Sequence, residues 1–262
     1  MSVNPFTLYL LALLGIAGLT NAQKNIVISD SLTAQAEKLN VKMGGQGLGK
    51  MWKMSFGEYA VVSSKSGWTT SSSTGNFFNT KTESKTAQKF SFVLTNQLAD
   101  SARVNAANNI LVQSLQQIEL LPHFSWGNNE QVNESRNFTA FITVNRDTSE
   151  TWALLLHVAK GQDSLGNYDA FLTNGERRIF IVPSSSDKNA SNASSPFSLS
   201  AAGYIFIENG QSLAALQYRG SGALGMNKNI VWMPRSFEAR MKLVLAATMT
   251  AIMQLKMTEL TN

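Results

Sequence analysis

Lys242-Leu243-Val244-Leu245-Ala246-Ala247-Thr248-Met249-Thr250-Ala251-Ile252-Met253-Gln254-Leu255-Lys256 is the stretch that decides the fold. Thirteen residues, Leu243 to Leu255, stand between the two lysines without a charge. Read as one helix over 236–257, with Ser236 as its cap, the segment is apolar on every face and has to be surrounded by protein or by lipid. Thirteen residues reach only ~20 Å, short of a bilayer core of ~30 Å, so the expectation is burial in protein with a sheet wrapped around the helix.

The chain upstream supplies strands for such a sheet. In Lys89-Phe90-Ser91-Phe92-Val93-Leu94-Thr95 the residues Phe90, Phe92 and Leu94 fall on one face, the period-2 signature of a half-buried strand. Phe138–Val144 and Thr151–Val158 form an expected antiparallel pair across the polar turn Asn145–Glu150. Two further hairpins carry Asn-Gly, the dipeptide suited to a type I′ turn: Tyr168–Thr173 with Arg177–Val182 through Asn174-Gly175, and Tyr204–Glu208 with Ser212–Tyr218 through Asn209-Gly210. Ser101–Leu121 is read as strands, although Ile110, Leu111, Leu115, Ile118 and Leu121 also fit a helical stripe. Thr69–Thr86 reads as a long exposed loop around a short edge strand, and Pro183–Pro196 as a polar loop.

The fold class expected is mainly β, an antiparallel barrel or strongly curved sheet packed around or against one long apolar C-terminal helix. Repeated hairpins (Tyr204–Tyr218), the strand Asn229-Ile230-Val231-Trp232-Met233 and the helix Phe237–Met253 together make the chain similar to the tubby-like and LURP-one barrels. In that family a closed sheet encloses a central hydrophobic helix, so the resemblance implies architecture and leaves function to be argued from a site.

Residues 1–22 read as a secretory signal, an uncharged apolar run Phe6–Leu19 followed by Thr20-Asn21-Ala22 before Gln23. The apolar run is too short to span a bilayer, so no transmembrane span is expected after cleavage. Residues 23–50, with the glycine cluster Gly44–Gly49, read as a flexible arm, and 51–262 as a single β-rich domain. The 262 residues contain no cysteine, which excludes a disulfide framework, thiolate metal ligands and a lipid-modified cysteine. The expected location is therefore exported, in the periplasm, at the cell surface or secreted, with a tilt toward a bacterial source. Lys+Arg outnumber Asp+Glu by 22 to 17, a dispersed excess that reads as a solubilising surface, with no nucleic acid expected as partner.

Motif-bearing chemistry is sparse. Gly44 to Lys50 resembles a P-loop but places Met51 where a Ser or Thr should bind magnesium. Gly220, Gly222 and Gly225 match a dinucleotide fingerprint but precede another strand, Asn227–Trp232, so they read as a loop between strands. His123 and His157 are the two histidines, too few for a multi-histidine metal site, and no cofactor is implied. Glu58, Asp147, Glu150, Asp169 and Glu176 lie near predicted turns. Five tryptophans read by default as core, and the side chains assigned to a ligand against that default are Trp68, Trp126, Arg177 and Arg178. Four glycosylation sequons occur at Asn133, Asn137, Asn189 and Asn192.

The expected function is an exported, non-catalytic β domain binding a lipid-like, saccharide or protein ligand. The alternative is a carboxylate-based hydrolase acting on cell-envelope polymers, which needs two opposed carboxyls with one pKa raised. An outer-membrane barrel is disfavoured by the C-terminal helix, by strands of uneven length and by Ser-rich loops that are not reduced to tight turns on one side.

Overall fold

The computed structural model describes residues 24–47, 50–67, 70–76, 79–98, 100–111, 118–121, 124–126, 135–159, 170–187, 200–222 and 228–261. The proposed signal 1–22, the tryptophan Trp68 and the sequons Asn133, Asn189 and Asn192 lie outside the described residues, as does His123.

A short helix, Asp30–Gln35, leads into β1 (Ala36–Asn40) and β2 (Lys42–Gln46), followed by β3 (Trp52–Phe56), β4 (Tyr59–Ser66), β5 (Thr70–Asn76), β6 (Asn79–Thr95) and β7 (Ser101–Leu111). β8 (Ile118–Leu121) and β9 (Phe124–Trp126) pair only with each other. The rest of the sheet comes from β10 (Ser135–Val144), β11 (Asp147–Ala159), β12 (Ala170–Thr173), β13 (Arg178–Ser185), β14 (Ala202–Glu208), β15 (Gln211–Arg219) and β16 (Ile230–Pro234). Its order is β1-β16-β15-β14-β13-β12-β11-β10-β7-β6-β4-β3-β2, with β5 attached to β6.

The two ends of that order, β1 and β2, are consecutive in the chain. β1 pairs with β16 and β2 pairs with β3, with Val41 between them donating its N–H to Asn229 O at 3.0 Å. The seam of this nearly closed antiparallel barrel thus lies within one run of backbone, and the peptide bond itself joins its edges. Closing a sheet in this way removes most of the unpaired strand edge.

Residues expected as a flexible arm therefore supply the closing strand. The glycines are accommodated by an irregularity in pairing between Met43 and Gln46, and a Cβ on Gly44 would sit 3.1 Å from Lys53 Cβ. Most of the expected loop Thr69–Thr86 is likewise strand, with Thr70–Asn76 paired along β6 and β6 continuing unbroken for 17 residues. Threonine's branched side chain favours extended backbone, and polarity alone does not separate a solvated strand from a loop.

Turn chemistry sets the register. Asn209 (φ 50°) and Gly210 (φ 77°) make the expected two-residue turn, and so do Asn145 (φ 53°) and Arg146 (φ 60°), which the sequence did not announce. At Asn174-Gly175 only Gly175 has positive φ, because Asn174 Oδ1 accepts from the N–H groups of Glu176 and Arg177 and widens the connection to 174–177. All these tight turns, with 57–58 and 96–100, lie at one end of the barrel. A meander of antiparallel strands brings alternate connections to the same end.

The C-terminal helix runs Ala239–Thr261 and begins after Glu238, whose carbonyl accepts from Lys242 N, so Ser236 is not its cap. Every residue from Leu243 to Leu255 is buried. The helix touches β6, β7 and β10 on one arc of the sheet and β15 and β16 on the other, which places it inside the barrel. Inward side chains such as Phe92, Leu94, Ile142, Leu154 and Phe206 pack around it in one core. The polar residues Thr248 and Thr250 give their hydroxyl protons to the carbonyls of Val244 and Ala246, so the core receives them without unpaired donors.

A second, smaller core lies on the outer face. Residues 24–29 cross β13 to β15, held by Val27 N to Ser185 O, Ser184 Oγ to Val27 O and Ile26 N to Gln217 Oε1. Ile26, Leu32 and Trp232 pack together there. Gly203 is required at this crossing, because a Cβ would lie 2.1 Å from Leu216 O and 2.9 Å from Ile26 Cδ1. Among the described residues no helix is long and apolar enough to cross a membrane.

Leu245 is fully buried, whereas Val62 is 61% exposed. Leu245→Ala is expected to cost about 2–5 kcal/mol and Val62→Ala under ~0.5 kcal/mol, read as shifts in urea midpoint at unchanged m-value. Equal shifts for the two would contradict an enclosed helix.

Candidate functional site

With Phe90, Phe92 and Leu94 turned inward, period 2 sends Lys89 and Ser91 outward. The ladder then fixes their neighbours. Lys65 on β4 stands opposite Ser91, Ser91 opposite Asn105 on β7, and Asn105 opposite Phe141 on β10. One step along, Gly67 N donates to Lys89 O at 2.7 Å, Lys89 stands opposite Ala107, and Ala107 opposite Thr139. These two rows line an outer groove of about 630 Å³.

Lys65, Lys89 and Asn105 are exposed on its rim, and Phe141 is half-buried in its floor. A third cation, Arg103, occupies the next outward position on β7 and is also exposed. Among the described residues neither lysine has an ion-pair partner, and no Asp or Glu lines the groove. An aromatic floor, hydroxyl and amide groups and uncompensated ammonium groups give this surface an affinity for an anion that also offers an apolar face. Such outward positions are unlike the apolar band of a lipid-facing barrel.

The row beyond Thr139 ends in a buried polar pair. His157 Nδ1 lies 2.6 Å from Asn137 Oδ1, so the proton sits on Nδ1 and His157 is the donor. Asn137 is 3% exposed, which leaves no room for a glycan at this sequon in the folded barrel.

Ion pairs concentrate at the end with the tight turns, where the C-terminal helix begins. Arg177 makes a two-point contact with Glu208, Nε to Oε1 at 2.9 Å and Nη2 to Oε2 at 2.8 Å, and its guanidinium lies 5.7 Å from the Trp152 ring centroid. Arg240 bridges Glu150 Oε2 at 2.8 Å and Asp147 Oδ2 at 3.0 Å, while Glu150 Oε1 accepts from Trp152 Nε1 at 2.9 Å. The network ties the first turn of the helix to β11 and to the β14 rim. Its nearest pair of carboxylates, Asp147 and Glu150, shares one arginine. The hydroxyl and N–H of Ser149, and then Arg240, hold the Asp147 carboxyl below its usual range. That is the opposite of the raised carboxyl a general acid requires.

Of the four residues assigned to a ligand from sequence, Arg177 is engaged in this network and Arg178 stacks over Phe171, 4.8 Å from its ring centroid. Trp126 ends β9 and Trp68 lies outside the described residues; the side chains of both are beyond what is described. Neither Arg177 nor Arg178 is among the described residues that line the groove. Among the other tryptophans, Trp152 and Trp232 are core, and Trp52 packs half-buried against it. The groove residues were missed because an outward face becomes a site only once strand order is known. One signal was present: in Phe138–Val144, alternation leaves Phe141 as the single large apolar side chain on the polar face.

No protein family, curated protein or solved structure matches the chain.

Because Asp147 is depressed in the folded state, its contribution to stability is present above the unfolded value of 3.8 and is lost as pH falls through the folded value. Ser149→Ala and Arg240→Ala are each expected to raise the Asp147 carboxyl, read by carboxyl-carbon NMR titration. An unchanged carboxyl in either variant would contradict that partner's role.

Proposed function

We propose that the chain is an exported, non-catalytic binding domain that holds an anionic ligand of saccharide type in the groove between Lys65, Lys89 and Phe141. The observation that carries this reading is the coincidence, in one concavity, of two exposed ammonium groups that have no ion-pair partner among the described residues and a half-buried aromatic ring. A sugar presents polar edges to Ser91, Asn105 and Thr139 and an apolar face to Phe141. Lysine ammonium groups act as point charges that accept a carboxylate or sulfate without demanding one fixed geometry.

Export is part of the same proposal. It is supported by the short apolar run and small-residue exit of 1–22 and by the absence of cysteine from the sequence, with the periplasm, the cell surface or the medium as destination. Kinship with tubby-like and LURP-one proteins is likewise proposed at the level of architecture. The barrel and its enclosed helix support it, and it contributes no ligand to the reading.

Calorimetric titration with trigalacturonate tests the site. The double variant Lys65→Ala/Lys89→Ala is expected to bind at least ~10-fold more weakly than the unmodified chain, a loss of about 1.4 kcal/mol, with an unchanged thermal midpoint. Phe141→Ala is expected to weaken binding of both trigalacturonate and its neutral counterpart. Absence of trigalacturonate binding, or binding indifferent to the lysines, would overturn the proposal.

A further inference from the structure

A second cavity, of about 780 Å³, includes Lys50, Met51, Lys53 and Ser64 in its lining. Ser64 stands opposite the inward Phe92, so this cavity reaches the inner side of β4, whereas Lys65 stands opposite Ser91 on the outer face. Outward register carries the basic character of the groove from Lys65 toward β2. Lys42 stands opposite Ser55 on the outward side of β2, and Lys53 shares the outward side of β3 with Ser55. Both are exposed. With Lys65, Lys89 and Arg103 they place five exposed cations on adjoining strands β2, β3, β4, β6 and β7. Strands β2, β3, β4, β7 and β10, and β6 from Gln88 to Thr95, contain no Asp or Glu.

We infer that this face is one continuous track for an extended acidic polysaccharide, with the Lys65/Lys89/Phe141 groove as one subsite and the Lys42/Lys53 side as another. The inference rests on the reading of that groove as a saccharide site and deepens it by fixing the ligand as a polymer. Six adjacent strands from β2 to β10 span ~24 Å across the ladder, further than a short oligosaccharide reaches. Charges of one sign lined up over the five strands β2, β3, β4, β6 and β7, ~19 Å, match a chain with an anionic group on each repeating unit. A bilayer surface fits less well, because the floor at Phe141 is recessed below the rim lysines and a planar membrane cannot enter the groove. A second subsite on the same molecule raises the effective concentration of a tethered chain end, so affinity should grow with ligand length.

The test is titration of the full mature chain with galacturonate oligomers of three and twelve units, and with dextran, anionic phosphatidylserine vesicles and a single-stranded oligodeoxythymidylate as competitors. The twelve-unit oligomer is expected to bind at least ~10-fold more tightly than the trimer, and the gain to shrink in high salt. Lys42→Ala/Lys53→Ala is expected to abolish that gain while leaving the trimer's affinity unchanged, and dextran is expected not to compete. Equal affinity for both oligomers, or a gain that survives Lys42→Ala/Lys53→Ala, would overturn the track and leave the groove standing. Failure of the trimer itself to bind would remove the groove as well. Vesicles or the oligodeoxythymidylate binding more tightly than the twelve-unit oligomer would overturn the assignment to a polysaccharide.

Discussion

Burial of the helical segment Leu243–Leu255 on all its faces is the constraint on which the rest of the molecule depends. A helix with one apolar stripe can lie on the surface of a sheet, but thirteen successive buried residues need neighbours all the way round. A curved antiparallel sheet supplies them: Phe92, Ile142 and Phe206 share one core with a helix containing Ala246, Ala247 and Ala251. With the helix occupying the interior, the groove between Lys65, Lys89 and Phe141 lies on the outside.

Closure follows from the same constraint. The run Ala36–Gln46 pairs on one side with β16 and on the other with β3, so the last strand before the helix and the first hairpin after the arm are joined through Val41. The ion pairs of Arg240 with Asp147 and Glu150 then fix the helix entrance to the rim. These are partly exposed contacts, and exposed ion pairs are worth little energetically; their contribution is to orientation more than to stability. The bulk of the stability resides in the buried apolar surface.

Much of this architecture was legible in the residues. The uncharged run between Lys242 and Lys256 announced an enclosed helix, the alternation in Lys89–Thr95 announced its strand, and Asn209-Gly210 announced its turn. Closure was not legible, because Gly44 and Gly45 mark both a flexible linker and a strand with a bulge, and only pairing with β3 distinguishes them. The candidate site was legible only in fragments. Lys65, Ser91, Asn105 and Phe141 come from four strands separated by up to 76 positions, and nothing local in any one strand says which outward residues stand side by side. Dispersed lysines read as a solubilising surface in the sequence; register gathers five cations onto one face. Arg177 illustrates the converse, a conspicuous hairpin arginine that the fold commits to Glu208 and Trp152.

The account joins an inert interior to a binding exterior, and amide hydrogen exchange followed with and without a twelve-unit galacturonate oligomer tests both at once. The predicted result is slowest exchange in 243–255, unaffected by ligand, with added protection in 89–91, 105–107 and 139–141 and in 42–46 on β2. Fast exchange in 243–255, or ligand protection confined to the charged rim around Arg177 and Arg240, would contradict it.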